Sequence, residues 1–141
     1  MKKALVISGG GSKGAFAGGV AQYLMKKENR NYDLFVGTST GSLMVSHLAL
    51  GMLDELKELY TNVNQDTIFS NNPFNIKVVA GEKVVNISHF NTLWNFLLGR
   101  KTFGESKNLR SLIKDNITKE MFDKIKEQKK EVVVTVSNLT A

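Results

Sequence analysis

The chain has 141 residues, 42% of them hydrophobic, which is enough for one domain with a buried core and too few for two ordinary domains. It contains no cysteine and only two histidines, set far apart, so disulfide frameworks and thiolate metal sites are excluded and a zinc site is not expected. The formal charge of +6 favours anionic partners in general, but no basic run is interleaved with stacking aromatic residues, so we expect no nucleic-acid partner.

The N-terminal third has the alternating order of an α/β protein. Residues 4–8 form a short apolar run bounded by glycine, which predicts a buried strand. A glycine-rich loop and a helical pattern at 15–27 follow, then a second apolar run at 32–36 and an apolar helical segment at 42–50. One side of the first helix carries its larger apolar residues, which are Phe16, Val20, Tyr23 and Leu24. This order predicts a parallel sheet with crossover helices, in which both connecting loops emerge at the carboxyl ends of neighbouring strands.

The first apolar run is too short for a targeting signal. Ser8, three glycines and Lys13 interrupt it, whereas a secretory signal needs a continuous apolar stretch of about 7–15 residues. No segment is long and apolar enough to cross a bilayer. We therefore expect a cytoplasmic protein, and the lysines among residues 1–30 leave a peripheral membrane contact open.

The middle of the chain predicts four further segments. Residues 53–63 have helical spacing, and the polar stretch 64–74 predicts a loop. Residues 76–87 predict a hairpin that turns near Gly81. The stretch 89–98 is a strongly apolar helical stripe, which fits either a core helix or a lid-like surface that meets lipid.

The C-terminal part predicts two amphipathic helices and a strand. The helices cover 109–116 and 118–130, and Thr118 is placed to cap the second. Residues 131–137 include four valines and predict a strand.

The second apolar run leads into Gly37-Thr38-Ser39-Thr40-Gly41, where a serine stands between two glycines ahead of a helix. In this context the serine hydroxyl projects from the apex of a strained turn, and the glycines remove Cβ atoms that would collide with strand and helix. Free N–H groups at the start of the helix also favour negative charge there. Ser39 is therefore a candidate nucleophile, although a tight turn with a capping serine gives the same pattern.

The glycine loop allows three interpretations. Gly9, Gly11 and Gly14 fit a dinucleotide fingerprint, but Asp33, the acidic residue at nearly the right distance, falls at the start of its strand and at the wrong edge of the sheet. A P-loop needs lysine and then serine or threonine after its last glycine, and here alanine follows. In the third interpretation, backbone N–H groups of the loop stabilise the oxyanion that forms when Ser39 attacks an acyl group.

Together the two motifs resemble those of the patatin-like phospholipases. Ser8-Gly9-Gly10-Gly11-Ser12-Lys13-Gly14-Ala15 is similar to their oxyanion loop, and the Ser39 motif is similar to their nucleophile elbow. Residues 107–112 and 132–141 also resemble later parts of that domain. The resemblance implies a three-layer α/β/α sandwich around a mainly parallel sheet. It also implies hydrolysis of ester bonds in phospholipids or other acyl lipids by a Ser-Asp dyad, with no cofactor and no metal.

By position, the resemblance makes Ser39 the nucleophile and places the backbone amides of Gly10 and Gly11 in the oxyanion hole, with Lys13 helping to hold the loop. The remaining motif positions are Gly9, Gly14, Gly37 and Gly41.

The dyad aspartate of this family lies in Asp-Gly-Gly or Asp-Gly-Ala, and no aspartate of this chain is followed by glycine. Neither His47, two turns along the helix from Ser39, nor His89 is placed to act as the base. We therefore expect residues 1–141 to be the N-terminal portion of a single patatin-like acyl hydrolase domain, apparently truncated and nearly inert alone, with a naturally short inactive relative as the other possibility.

Two further expectations accompany this prediction. The chain could instead be a non-catalytic module that keeps the glycine loop and elbow as an anion- or acyl-lipid-binding pocket. A sheet cut off within its domain would also expose an unpaired strand edge and invite association with another chain.

Overall fold

The computed structural model describes residues 1–68, 74–79, 81–87, 93–94, 97 and 107–138. The chain divides into two units, of which the first comprises Met1–Asn62 and Ile117–Ala141 and the second comprises Val63–Asn116. The strands are β1 (Ala4–Ile7), β2 (Leu34–Thr38), β3 (Phe74–Val79), β4 (Glu82–Ile87) and β5 (Glu131–Thr135). The helices are α1 (Gly14–Gln22), α2 (Thr40–Ala49), α3 (Leu53–Asn62), α4 (Gln65–Ile68), α5 (Lys107–Asn116) and α6 (Lys119–Glu127). A 3-10 turn at Gly11–Lys13 leads into α1, and a π-helical turn at Tyr23–Lys27 extends it.

A parallel sheet of order β1-β2-β5 forms the centre of the first unit. The register pairs Ile7 with Gly37 and Gly37 with Val134, so the three strands end at one edge. Helix α1 connects β1 to β2 as a crossover, which is how neighbouring parallel strands are joined. The predicted α/β fold with a parallel sheet is confirmed.

The core of the first unit lies between this sheet and α2. Its largest fully buried side chains are Phe35 on the sheet and Met44, Val45 and Leu48 on the helix. Each apolar side chain of this size contributes about 1.5–3 kcal/mol when it is fully buried. Because nearly all of α2 is enclosed, the start of this helix, beside Ser39, is held by the best-packed part of the unit.

The two faces of the sheet differ in coverage. Phe35 and Ile7 are buried on the face that α2 covers. Val6 and Val133 alternate to the opposite face, and they are 69% and 46% exposed. The helical layer that the structure describes therefore covers one face of the sheet, and the other face is apolar and open.

Helix α1 packs through its small residues. A Cβ on Gly14 would lie 3.0 Å from Met44 Cε, and one on Gly18 would lie 3.7 Å from Met44 Sδ. Of the large residues on the predicted apolar side, Phe16 and Tyr23 face outward and are 79% and 57% exposed, whereas Leu24 is half-buried. Hydrophobic spacing predicted the helix correctly, but α1 packs against α2 with the face that carries its glycines.

Two predicted boundaries are corrected by the structure. The second strand begins at Leu34, two residues later than the apolar run. The stretch predicted as a loop after α3 contains the short helix α4. Asn64 starts it, because the Asn64 Oδ1 atom accepts a hydrogen bond from the Thr67 N–H at 2.9 Å while Thr67 Oγ1 accepts from the Asn64 N–H at 2.7 Å. Such reciprocal capping stabilises a first helical turn even where the sequence is polar.

The second unit contains the predicted hairpin. Strands β3 and β4 pair antiparallel, and Val79 lies opposite Glu82 across a turn where Gly81 has φ 84°. The predicted helix at 89–98 lies mostly outside the described residues. Of its members, Leu93, Trp94 and Leu97 are described, and all three are exposed.

The C-terminal elements of the first unit follow the prediction closely. Helix α6 begins after Thr118, whose Oγ1 accepts a hydrogen bond from the Met121 N–H at 3.4 Å, and the strand that follows pairs with β2. Over the described part of the chain, no helix has the length and apolar character needed to span a bilayer. In the same residues no group of three His, Cys, Asp or Glu side chains is gathered as a metal site would require.

Candidate active site

Ser39 occupies the turn between β2 and α2 with a strained backbone. Its φ of 54° and ψ of −122° lie in a region that residues with a side chain rarely adopt, at a cost of about 1–3 kcal/mol. The residue is exposed although the helix that follows is almost entirely buried. The strained turn therefore presents a serine side chain at the surface, as a nucleophile elbow does.

Hydrogen bonds on both sides of Ser39 hold the turn. The Ser42 N–H donates to the Ser39 carbonyl oxygen at 2.9 Å, and the Ser42 hydroxyl donates to the Gly37 carbonyl oxygen at 3.0 Å. On the strand side, Thr135 Oγ1 donates to Thr38 Oγ1 at 2.9 Å across β2 and β5. The strain at Ser39 is thus supported by polar contacts on each flank.

The two glycines of the elbow are required by close backbone contacts. A Cβ on Gly37 would lie 2.5 Å from the Gly41 carbonyl oxygen, and one on Gly41 would lie 2.3 Å from the Ile7 carbonyl oxygen. These separations are far below van der Waals contact, so β1, β2 and the start of α2 converge only where no side chain intervenes. This explains the glycines on either side of Ser39 in physical terms.

The glycine loop lies directly against the elbow. A Cβ on Gly9 would lie 2.6 Å from Ser39 Cβ and 3.3 Å from Ser39 Oγ, and one on Gly14 would lie 3.2 Å from Thr40 Cβ. Both ends of the loop therefore touch the elbow, one at the serine and one at the residue after it. The structure brings together the two motifs that the sequence placed on neighbouring strands.

The middle of the loop is exposed and tightly turned. Gly11 has φ 58°, a left-handed value that glycine adopts without steric cost, and the Lys13 N–H donates to the Gly10 carbonyl oxygen at 3.1 Å. The loop is closed by the main chain of Lys13, so the predicted role of its ammonium group stays a prediction. The exposed amides of Gly10 and Gly11 likewise stay predicted oxyanion donors.

Tyr60 contacts the elbow, which its position in the predicted helix at 53–63 does not indicate. Its hydroxyl donates a hydrogen bond to the Thr40 carbonyl oxygen at 3.1 Å. Burial raises the pKa of Tyr60 to about 12, so the hydroxyl keeps its proton and remains a donor at neutral pH. No local pattern in the sequence indicates a contact between residues twenty positions apart.

His47 is a core residue and lies away from Ser39. It is 3% exposed, its Nδ1 atom has no hydrogen-bond partner among the described residues, and eight residues of helix separate it from Ser39 by about 12 Å. Burial lowers the pKa of His47, and the charge of Glu55 opposes this only in part. A neutral, enclosed imidazole at that distance cannot take the Ser39 proton.

Asp33 and Asp54 each contact a residue other than Ser39. The Asp33 carboxylate accepts a hydrogen bond from the Lys3 N–H at 2.9 Å, ahead of β1 and at the amino end of the sheet, which agrees with the argument against a dinucleotide site. Asp54 forms an ion pair with Lys26 at 2.9 Å. Across the described ranges, Ser39 Oγ has no hydrogen bond to a carboxylate or an imidazole.

One comparison with known proteins identifies a family. A family model described as Patatin-like phospholipase matches residues 5–140. No curated protein and no solved structure gives a significant match. Because the matched region runs from the first strand through the last and includes both the glycine loop and the serine elbow, the chain belongs to the patatin-like phospholipase family.

Proposed function

We propose that this chain carries the nucleophile and the oxyanion loop of a lipid acyl hydrolase. Family membership supports a hydrolase that acts on lipid esters. The observation that carries the assignment to particular residues is the strained, exposed Ser39 with Gly9 packed against its side chain. An exposed serine held at a costly backbone angle, beside a loop of exposed amides, fits acyl transfer better than simple helix capping.

In the proposed reaction, Ser39 Oγ attacks the carbonyl carbon of the ester while a general base takes its proton. The carbonyl oxygen becomes an oxyanion that accepts hydrogen bonds from the N–H groups of Gly10 and Gly11. When this intermediate collapses, the ester C–O bond breaks and the alcohol leaves with the proton held by the base. Water then attacks the carbonyl carbon of the acyl-serine while the base takes its proton, the bond from that carbon to Ser39 Oγ breaks, and the fatty acid leaves as the proton returns to Ser39 Oγ.

The amides of the loop are the main electrostatic contribution of this chain. Removal of one oxyanion donor costs about 3–4 kcal/mol of transition-state stabilisation where it has been measured. The dipole at the start of α2 adds about 0.3–1 kcal/mol near its first turn. The geometry of the loop therefore matters more to the rate than the charge around it.

Within the part of the chain that the structure describes, no general base contacts Ser39 Oγ. A serine hydroxyl is a weak nucleophile at neutral pH unless a base removes its proton. The family supplies that base as an aspartate followed by glycine, a pattern absent from the sequence. We propose that the aspartate belongs to a segment outside these 141 residues, and that the 141 residues alone are nearly inert.

The proposed substrate is a phospholipid or another acyl lipid, met in the cytoplasm at a membrane surface. Exposed Leu93, Trp94 and Leu97 supply apolar surface in the second unit, which supports the lid-like interpretation of this stretch.

The apolar, open face of the sheet and its outer strands would also allow association with another chain.

The main alternative is a non-catalytic module that binds an anion or an acyl lipid. What favours it is that Ser39 Oγ has no hydrogen bond to a base within the described residues. Under this alternative, an extended protein that includes an Asp-Gly-Gly or Asp-Gly-Ala segment would not gain esterase activity.

The test compares the 141-residue chain with that extended protein. In the extended protein, a fluorophosphonate probe should add one adduct, seen by intact mass, and a chromogenic acyl ester should be hydrolysed. Ser39→Ala should abolish both, whereas Ser12→Ala, which removes an exposed serine from the neighbouring loop, should retain both. The 141-residue chain should hydrolyse the ester no faster than its Ser39→Ala variant. Unchanged turnover in the extended Ser39→Ala protein would overturn the assignment.

A further inference from the structure

Helices α1 and α3 leave an apolar groove between them, and Ser39 is not among the residues that line it. Its volume is about 230 Å³. Its walls are formed by small residues of α1 and larger residues of α3, namely Ala15, Gly18, Gly19, Leu53, Leu56 and Tyr60. The groove lies entirely within the first unit.

Gly19 keeps this groove open. A Cβ on Gly18 would meet Met44 Sδ at 3.7 Å, so packing against α2 accounts for a small residue there. A Cβ on Gly19 would meet no atom of the described residues within 4 Å. Glycine inside a helix is less favourable than alanine, and no packing contact with the described residues explains it at Gly19. The absence of a side chain at Gly19 leaves the space of the groove open.

One end of the groove is rich in lysine. An adjoining depression shares Gly19, Gln22 and Lys57 with the groove and adds Lys26, Lys27 and Asp54. Asp54 is paired with Lys26, and this pairing lowers the pKa of the Asp54 carboxyl. Three lysines and one aspartate line this end, and one of those lysines, Lys26, is already paired with the aspartate. This end of the groove is complementary to an anion.

We propose that the groove binds a medium-chain fatty acid, with the hydrocarbon chain between α1 and α3 and the carboxylate beside Lys27 and Lys57. A methylene occupies about the same volume as a water molecule in the liquid, which is roughly 30 Å³. The groove therefore holds about eight methylenes. The apolar walls take the chain and the lysines take the charge. This site does not depend on Ser39 chemistry, so it stands whether or not the chain hydrolyses esters.

Contact between the groove and the elbow gives the site a second consequence. Tyr60 lines the groove and also donates to the Thr40 carbonyl oxygen. A bound chain would therefore touch the side chain that supports the residue after Ser39.

The experiment is calorimetric titration of the 141-residue chain with monomeric saturated carboxylates of four to fourteen carbons. Each methylene that enters the groove should lower Kd about fourfold, and the gain should stop after about eight methylenes. Decanoate should bind more tightly than decanol, and both should bind more tightly than decyltrimethylammonium. Ser39→Ala should bind decanoate as the wild-type chain does, which separates this proposal from the proposed function.

Two pairs of variants locate the site. Gly19→Leu should fill the groove and weaken decanoate binding at least twentyfold, whereas Gly19→Ala, which shares the gain in helix propensity, should weaken it much less. Lys57→Glu should weaken decanoate several-fold and leave decanol unchanged, whereas Lys126→Glu on α6 should alter neither. The proposal is overturned if decanoate fails to bind, if decyltrimethylammonium binds equally well, or if both Gly19→Leu and Lys57→Glu bind decanoate as the wild-type chain does.

Discussion

The elbow and the glycine loop are both built from glycine, but they need it for different reasons. At Gly37 and Gly41 a Cβ would lie within 2.5 Å of a backbone oxygen. Among the described residues, the nearest contact of a Cβ on Gly10 would be Lys13 Cβ at 3.4 Å, and a Cβ on Gly11 would have none within 4 Å. The elbow uses glycine so that three backbone segments can converge, whereas the loop uses it to turn tightly and leave its amides exposed. Substitutions at the two places should therefore have effects of different size and kind.

The largest expected effect is at the elbow. Gly41→Ala would force its Cβ against the Ile7 carbonyl oxygen, so β1 or α2 must move, and we expect a loss of about 3 kcal/mol or more in the free energy of unfolding. Urea denaturation followed by circular dichroism measures this loss. Gly19→Ala is the matched control, because it adds the same methyl group to a helix at a position where the structure describes no neighbour within 4 Å. Equal stability of the two variants would contradict the packing argument.

An intermediate effect is expected where the loop touches the elbow. Gly9→Ala would place a methyl group 2.6 Å from Ser39 Cβ, so either the loop or the serine must shift. We expect a loss of about 1–2 kcal/mol in the free energy of unfolding. In the extended protein, we also expect Gly9→Ala to slow fluorophosphonate labelling under conditions in which the variant is fully folded. Normal labelling with reduced stability would mean that the loop moves and the serine does not.

A smaller effect of opposite sign is expected at the serine itself. Ser39→Gly should raise the free energy of unfolding by about 1 kcal/mol relative to Ser39→Ala, because glycine adopts φ 54° and ψ −122° without steric cost. Both variants lack the hydroxyl, so the comparison isolates the backbone strain. Equal denaturation midpoints would show that the turn relaxes when the hydroxyl is removed.

The smallest effect is expected from pH and concerns the buried His47 on α2. The folded state lowers the pKa of His47 through burial, so below the ordinary histidine pKa of about 6.5 the unfolded chain takes up a proton that the folded chain does not. Stability should therefore fall as the pH drops from 7 towards 5.5. In His47→Leu, the midpoint of urea denaturation should depend less on pH across this range. If its pH dependence is unchanged, other groups cause the effect.

The sequence predicted the parts of the fold that depend on local patterns. Short apolar runs ending in glycine located β1 and β2, and the position of Thr118 located the start of α6. The two glycine motifs also indicated the correct neighbours, because parallel strands joined by a crossover end at one edge. These features are encoded within a few residues of where they act.

Contacts between distant residues could not be predicted in this way. The hydrogen bond from Tyr60 to Thr40 and the pair formed by Thr135 and Thr38 join elements that share no local pattern. The exposed position of Phe16 was also missed, because hydrophobic spacing defines a helix face without showing whether that face or the glycine face packs inward. Tertiary contacts decide such choices, and a single sequence does not display them.

The parallel sheet also constrains the order in which the first unit forms. Strand β1 meets β2 across about 30 residues, as the Lys3–Asp33 contact shows, whereas β5 meets β2 across 97 residues at the Thr38–Thr135 pair. Loop-closure entropy makes the longer connection costlier by about 1 kcal/mol, so we expect the β1-α1-β2 segment to form early and β5 to dock late. Shortening the connection between α3 and α6 should therefore speed refolding of the first unit, and the turn that carries Ser39 should gain its final support from Thr135 only in the last folding step.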